Sequence, residues 1–109
     1  MGVDVALFQV DQPGSSPRRR RLTQLAVVPD AADLFARLCQ RSALPLLSRV
    51  DPYADLALTS AEMEQLLAEL STELGAATSD GERELLAAVL ALAERCALGE
   101  GLELHLQGD

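Results

Sequence analysis

The chain has 109 residues and a formal net charge of −8, and 49% of its residues are hydrophobic. This length predicts a single domain, residues 1–109, that can bury a core without disulfide staples. Only 3% of the residues are aromatic, which argues against a stacking platform for single-stranded nucleic acid. No run approaches the ~20 apolar residues of a membrane span, so we expect no membrane insertion.

The charge is distributed unevenly along the sequence. Residues 59–109 hold eleven acidic residues and two arginines, whereas residues 1–58 hold six acidic residues and seven arginines. A surface of negative sign repels nucleic acid and anionic membranes and favours a basic protein partner. All nine basic residues are arginine, a usage that favours a GC-rich bacterial genome as the source.

The first 29 residues predict a β-hairpin. Residues 3–10 are apolar and β-branched, and residues 22–28 form a second such run that ends before Pro29, although the leucine spacing of the second run would also suit a helical turn. Between the two runs, residues 11–21 are rich in proline, glycine, serine and arginine. This composition predicts a mobile loop at the tip of the hairpin.

A short helix is predicted next, with Asp30 as its N-cap and Pro45 setting its end. Residues 44–50 are apolar but irregular, and residues 51–55 have the composition of a turn. We expect residues 56–58 to be extended.

Thr59 and Glu62 have the spacing of a capping box, which predicts the start of a second helix that Gly75 closes. Five apolar residues of this helix form one stripe: Met63, Leu66, Leu67, Leu70 and Leu74. The remaining face is acidic and is predicted to be exposed: Glu62, Glu64, Glu69 and Glu73.

Ser79 and Glu82 repeat the capping-box spacing and predict a third helix that runs to about Leu98, with Gly99 after it. Within it, residues 85–93 contain no polar side chain. A helix that is apolar all round must be covered on more than one side, either by its own domain or by a second copy of the chain. This run therefore suggests a homodimer that assembles through the third helix or its neighbouring surface.

The C-terminal residues 102–107 alternate strictly, which places three leucines towards a core and directs Glu103, His105 and Gln107 outwards. The fold class that follows is α+β. We expect a small antiparallel sheet, made of the N-terminal hairpin and the C-terminal strand, with three helices packed against one face.

Cys39 and Cys96 are the only cysteines, and their spacing suits neither a disulfide framework nor a metal site. Each falls on an apolar helix face, so we expect buried free thiols and a reducing, cytoplasmic location. The N-terminus lacks the basic region of a signal peptide.

Three segments could carry chemistry. Four adjacent arginines (Arg18, Arg19, Arg20 and Arg21) could bind an anion, but counterion release from four arginines alone supports only weak nucleic-acid binding. Asp51, Tyr53 and Asp55 could hold a hard cation, although residues of these types more often serve the backbone of a turn. His105 is the only histidine, too few for a common zinc site.

The sequence contains no nucleophile elbow, no glycine-rich phosphate loop and no pair of histidines, so we expect no catalytic residues, no metal and no cofactor. The leading hypothesis is a small acidic cytoplasmic protein-interaction module that neutralises or recruits a basic partner through the acidic face of the second helix. Two alternatives stay open: a nucleic-acid or phosphate binder that uses the arginine run, and a small-molecule-binding domain or enzyme with a site near Tyr53 or His105.

Overall fold

In a computed structural model, which describes residues 2–11 and 21–108, the chain forms a four-stranded antiparallel sheet. The strands are β1 (Asp4–Asp11), β2 (Arg21–Val28), β3 (Asp55–Thr59) and β4 (Leu102–Gln107), in the spatial order β2-β1-β4-β3. The predicted hairpin is formed by β1 and β2, and the predicted C-terminal strand pairs with β1. The expected extended segment, β3, adds a fourth strand at the far side of β4.

Three helices complete the α+β fold: α1 (Leu34–Arg41), α2 (Met63–Ala76) and α3 (Asp80–Leu98). Their apolar sides and one face of the sheet enclose the hydrophobic core. The side chains at the centre of this core have almost no exposed surface: Val5, Leu7, Phe35, Leu66, Leu70, Leu86, Val89 and Leu104. No helix in the described part of the chain is long and apolar enough to cross a membrane.

The apolar run of α3 is covered within the chain. This helix contacts α1, α2 and strands β1, β2 and β4. Leu86, Val89 and Leu92 are buried, and the exposed members of the run are two alanines, Ala87 and Ala91. A helix surrounded on these sides has no need of a second copy to cover it, so the run no longer argues for a homodimer through α3.

The predicted cap of the first helix, Asp30, joins the start of the chain to α1. Its carboxylate accepts hydrogen bonds from the backbone N–H groups of Phe35 at 2.8 Å, Ala36 at 3.0 Å and Val3 at 2.9 Å. The α-helix itself starts at Leu34, later than predicted. Ala32 and Asp33 precede it with φ of 59° and 58°, in the left-handed region that side chains rarely adopt.

Both predicted capping spacings start helices. Thr59 and Glu62 form a complete capping box, and one 3-10 turn separates it from α2. Ser79 accepts a hydrogen bond from the Glu82 N–H at 3.2 Å at the start of α3. The Glu82 carboxylate, however, binds Arg41 at the end of α1 and therefore ties two helix ends together. Gly99 follows the last residue of α3 as predicted, whereas α2 continues one residue past Gly75.

The Arg41–Glu82 contact makes the stability of the fold depend on pH. The hydrogen bond from the Arg41 guanidinium holds the pKa of Glu82 below its ordinary value. A carboxyl whose pKa is lower in the folded state stabilises that state above its unfolded pKa, about 4.3 for glutamate, and the contribution disappears as the pH falls through the folded pKa.

We therefore expect R41Q to lower the free energy of unfolding at pH 7, and the difference from the wild type to shrink below about pH 4. Urea unfolding at several pH values measures this difference. R49Q, the same charge change at an exposed arginine, is the matched control, and its difference from the wild type in free energy of unfolding should not shrink at low pH. An Arg41 effect that stays constant down to low pH would contradict the assignment.

Candidate protein-binding surface

The sheet has two faces of different character. In each strand every second residue points towards the helices, and such residues are buried in the middle of the sheet, for example Val5, Leu7 and Leu104. The other face has no helix against it among the described residues, as expected for helices packed against one side. We call it the open face, and its members follow from the strand register: Asp4, Ala6, Phe8, Val10, Leu22, Gln24, Val27, Asp55, Ala57, Thr59, Glu103, His105 and Gln107.

The register aligns these side chains in rows across the sheet. One row crosses all four strands and reads Val27, Ala6, His105 and Ala57. The next row reads Gln24, Phe8, Glu103 and Thr59. Directly opposed residues of an antiparallel pair have Cβ atoms about 4.5–5.5 Å apart, so each row is a line of side chains in contact range.

The centre of the open face is an aromatic and acidic cluster. The rings of Phe8 and His105 lie 4.6 Å apart between centroids, at an interplanar angle of 46°. His105 Nε2 lies 3.0 Å from Glu103 Oε1. A carboxylate can only accept, so the contact is a hydrogen bond in the tautomer that carries its proton on Nε2. The cluster is well shielded, since the side chains of His105 and Glu103 are only 14% and 15% exposed.

Strand β2, which lies along one side of this face, carries exposed apolar residues. Leu22 is 45% exposed, Leu25 41% and Val27 44%, which is three of the five large exposed hydrophobic residues of the described chain. The register with β1 passes over Leu25, which is the extra residue of a β-bulge. The other two exposed residues, Tyr53 and Leu98, lie singly elsewhere.

The ionisable groups of the open face are acidic apart from one histidine. Asp4, Asp55 and Glu103 lie on β1, β3 and β4, and His105 is next to Glu103. The residues assigned to this face from the described strands include no arginine. The surface therefore combines a partly apolar centre with carboxylates, a combination suited to a partner that is both basic and apolar.

The acidic face predicted for the second helix is discontinuous. Glu64 is exposed, Glu62 is held in the capping box and Glu73 is half-buried. Glu69 is buried, contrary to the expectation of an exposed face. It accepts hydrogen bonds from the backbone N–H groups of Leu46 at 3.0 Å and Leu47 at 2.9 Å.

The burial of Glu69 has a clear local cause. Leu46 and Leu47 stand at the start of a 3-10 turn, Leu47–Arg49, where backbone N–H groups have no partner inside the turn. The carboxylate supplies those partners, and Gln65 Nε2 donates to its second oxygen at 2.9 Å. In the sequence, Glu69 cannot be told apart from any other polar residue that lies between apolar ones. Its role becomes visible only when residues 44–50 fold over it.

The remaining sequence-predicted sites are not brought together. Asp51 accepts a hydrogen bond from the Tyr53 N–H at 2.9 Å, as expected of a turn residue, and Tyr53 is 66% exposed. No group of three or more His, Cys, Asp or Glu residues within residues 2–11 and 21–108 is placed to hold a metal ion. Of the arginine run, Arg21 is exposed at the start of β2 opposite Asp11, and Arg18, Arg19 and Arg20 lie outside the described residues.

The sequence pattern predicted helices on one face of the sheet, with Glu103, His105 and Gln107 directed outwards. That the uncovered face is a candidate binding surface was not predicted, although one signal for it was present. The run from Val5 to Phe8 is apolar at successive positions rather than alternating. Apolar residues on both sides of a strand indicate that both faces of the sheet are packed against other parts of the protein. In the described structure only one of those faces is packed against the helices.

We expect both native thiols to be inert in the folded protein. Burial raises the pKa of Cys39 to about 12 and raises the pKa of Cys96 as well. The thiolate is the reactive form, so a thiol reagent at mildly alkaline pH should label neither residue in native buffer and both in denaturant. Rapid labelling of either cysteine in the native protein would contradict this burial.

A second prediction tests the internal role of Glu69. E69A removes the acceptor of two buried N–H groups and should lower the free energy of unfolding by about 2–4 kcal/mol. E64A, at an exposed position of the same helix, should change it by less than about 0.5 kcal/mol. Denaturant unfolding of both variants measures the contrast, and equal effects would show that Glu69 is a surface residue.

No family model, curated protein or solved structure matches the chain. The function of the open face is therefore argued from the residues of this chain alone.

Proposed function

We propose that the protein is a small acidic interaction module of the cytoplasm that binds a basic protein partner through the open face of its sheet. The observation that carries this proposal is the composition of that face. It combines apolar side chains with the carboxylates of Asp4, Asp55 and Glu103, and its described residues include no arginine. Asp4 also accepts the Asp30 N–H and Glu103 contacts His105, so Asp55 is the exposed carboxylate on which the proposal chiefly depends.

The two kinds of side chain have different roles in such an interface. Burial of apolar surface supplies affinity, at roughly 25 cal/mol for each Å² removed from water. The carboxylates supply encounter rate and discrimination between partners, because arginine or lysine is attracted to them and acidic proteins are repelled. The net charge of −8 extends the same preference over the whole molecule.

The open face suits this role better than the second helix does. Of the four glutamates predicted there, only Glu64 is exposed, while Glu69 is engaged with backbone N–H groups. On the open face, Asp55 and Ala57 are exposed side by side with the Phe8 and His105 cluster. By binding a basic partner through this surface, the module would neutralise or recruit that partner.

The cytoplasm is a reducing compartment, and the state of the two cysteines is consistent with such a location. Cys39 and Cys96 are both free and buried, and neither forms a disulfide. Proteins of oxidising compartments generally convert paired cysteines to disulfides, whereas cytoplasmic proteins keep them reduced.

Selection from a random-peptide library displayed on phage, against the immobilised full chain, tests the proposal with no partner chosen in advance. We expect the enriched peptides to combine arginine or lysine with leucine, valine or aromatic residues. Calorimetry with one such synthetic peptide should show binding that weakens as salt is raised.

Charge-reversed variants locate the surface. D55K, on the open face, should weaken binding of the selected peptide by about tenfold or more, since it places like charges together. E84K, at an exposed position of α3, is the matched control and should change binding far less. Enrichment of acidic peptides would overturn the proposal. Loss of binding in E64K but not in D55K would move the site back to the second helix.

A further inference from the structure

The outer edge of the sheet at β2 differs from the edge at β3. β2 is an eight-residue strand that, among residues 2–11 and 21–108, is hydrogen-bonded to a neighbouring strand on one side only, and six of its residues are exposed. Natural edge strands avoid unwanted pairing by being short, by carrying charges and prolines, or by a β-bulge. Of these devices β2 has the bulge alone, and the pairing inferred below is centred on it. β3 is short, with five residues, and begins with Asp55. β2 carries one charge, Arg21, at its first residue, and the only irregularity within it is the bulge at Leu25.

We infer that β2 pairs antiparallel with β2 of a second copy of this chain, so that two four-stranded sheets join into one eight-stranded sheet. The inference concerns the edge of the sheet and does not depend on the function proposed for its face. It also moves the expected homodimer contact from α3, which the chain itself covers, to β2.

The charge on β2 favours a second copy over the basic partner proposed for the face. In a protein of net charge −8, the strand Arg21–Val28 contains no carboxylate. A basic segment laid along this edge would find no opposite charge in the strand to pair with. A second β2 brings a mostly apolar edge, with one charged residue, Arg21, at its end, to an identical edge.

The strand is also complementary to itself. Leu22 pairs with Val10 and Val27 with Ala6, so both lie on the open face, because the bulge at Leu25 shifts the alternation between them. A two-fold axis between Gln24 and Leu25 sets Leu22 opposite Val27 of the second copy, and Val27 opposite Leu22. The same axis sets Thr23 opposite Ala26 on the helix side. Each of these four residues thus meets an uncharged residue on the same face.

Self-association through β2 should depend on the salt concentration. Two copies of net charge −8 repel each other, and salt screens this repulsion. Self-association through β2 should therefore strengthen as salt is raised. Binding of a basic peptide by the open face should weaken under the same change, so the two interactions respond in opposite directions.

Sedimentation velocity over a concentration series of the full chain tests the inference. We expect a reversible monomer–dimer equilibrium, with the dissociation constant raised by about tenfold or more in V27K, since lysine on an edge strand opposes pairing. L98K is the matched control: Leu98 is an apolar residue that is 89% exposed outside β2, and its replacement should leave the equilibrium unchanged. Circular dichroism confirms that both variants are folded.

Cysteine cross-linking tests the register. An equimolar mixture of L22C and V27C should oxidise to a covalent dimer, whereas either variant alone should not, because like residues lie far apart across the axis. The native thiols are buried and contribute no background.

A chain that stays monomeric at high concentration and high salt would overturn the inference. So would a dimer that V27K leaves intact, or cross-linking of L22C with itself. Because Val27 lies on the open face, peptide binding is compared on the wild type below and above its dimer dissociation constant, and equal affinity shows that the dimer contact and the partner site are separate. If the wild type is monomeric and binds the peptide, the inference fails while the proposed function stands.

Discussion

The packing of α3 determines how the rest of the molecule is arranged. Its nine-residue apolar run needs cover on several sides, and α1, α2 and one face of the sheet provide it. All three helices are thereby used on the same side of a four-stranded sheet. The opposite face is left without a helical layer in the described part of the chain. Its apolar residues Leu22 and Val27 are exposed, whereas Ala6 and the pair of His105 and Glu103 have little exposed surface. The surface available for recognition is a consequence of where the core had to be placed.

Several carboxylates of this acidic chain serve the fold rather than the surface. Asp30, Glu69 and Glu62 accept backbone N–H groups where a helix or turn begins, and Glu82 binds Arg41. An unpaired buried N–H costs about 1–3 kcal/mol, so Glu69, whose hydrogen bonds to Leu46 and Leu47 are buried, stabilises the connection that it completes. Net charge alone therefore overstates how much acidic surface the protein can offer to a partner.

The face and the edge of the sheet have different chemistry and suit different occupants. The face carries carboxylates beside an aromatic and histidine cluster, whereas the β2 edge is apolar and nearly uncharged. Pairing at the edge would extend the open face continuously across two copies and double the number of its central clusters. A basic partner with two matching segments would then bind both clusters at once, with the gain in avidity that such linkage brings.

Local patterns in the sequence determined most of the secondary structure. The capping spacings at Thr59 and Ser79, the alternation of residues 102–107 and the apolar runs of the hairpin act over a few residues, so their physics is contained in a short window. Only the tertiary structure decided the order β2-β1-β4-β3, the burial of Glu69 under residues 44–50 and the meeting of Phe8 with His105. Apart from the β1–β2 hairpin, these features join residues 22 or more positions apart. No local propensity records which distant backbone groups will need a partner or which face of a strand will be left without one.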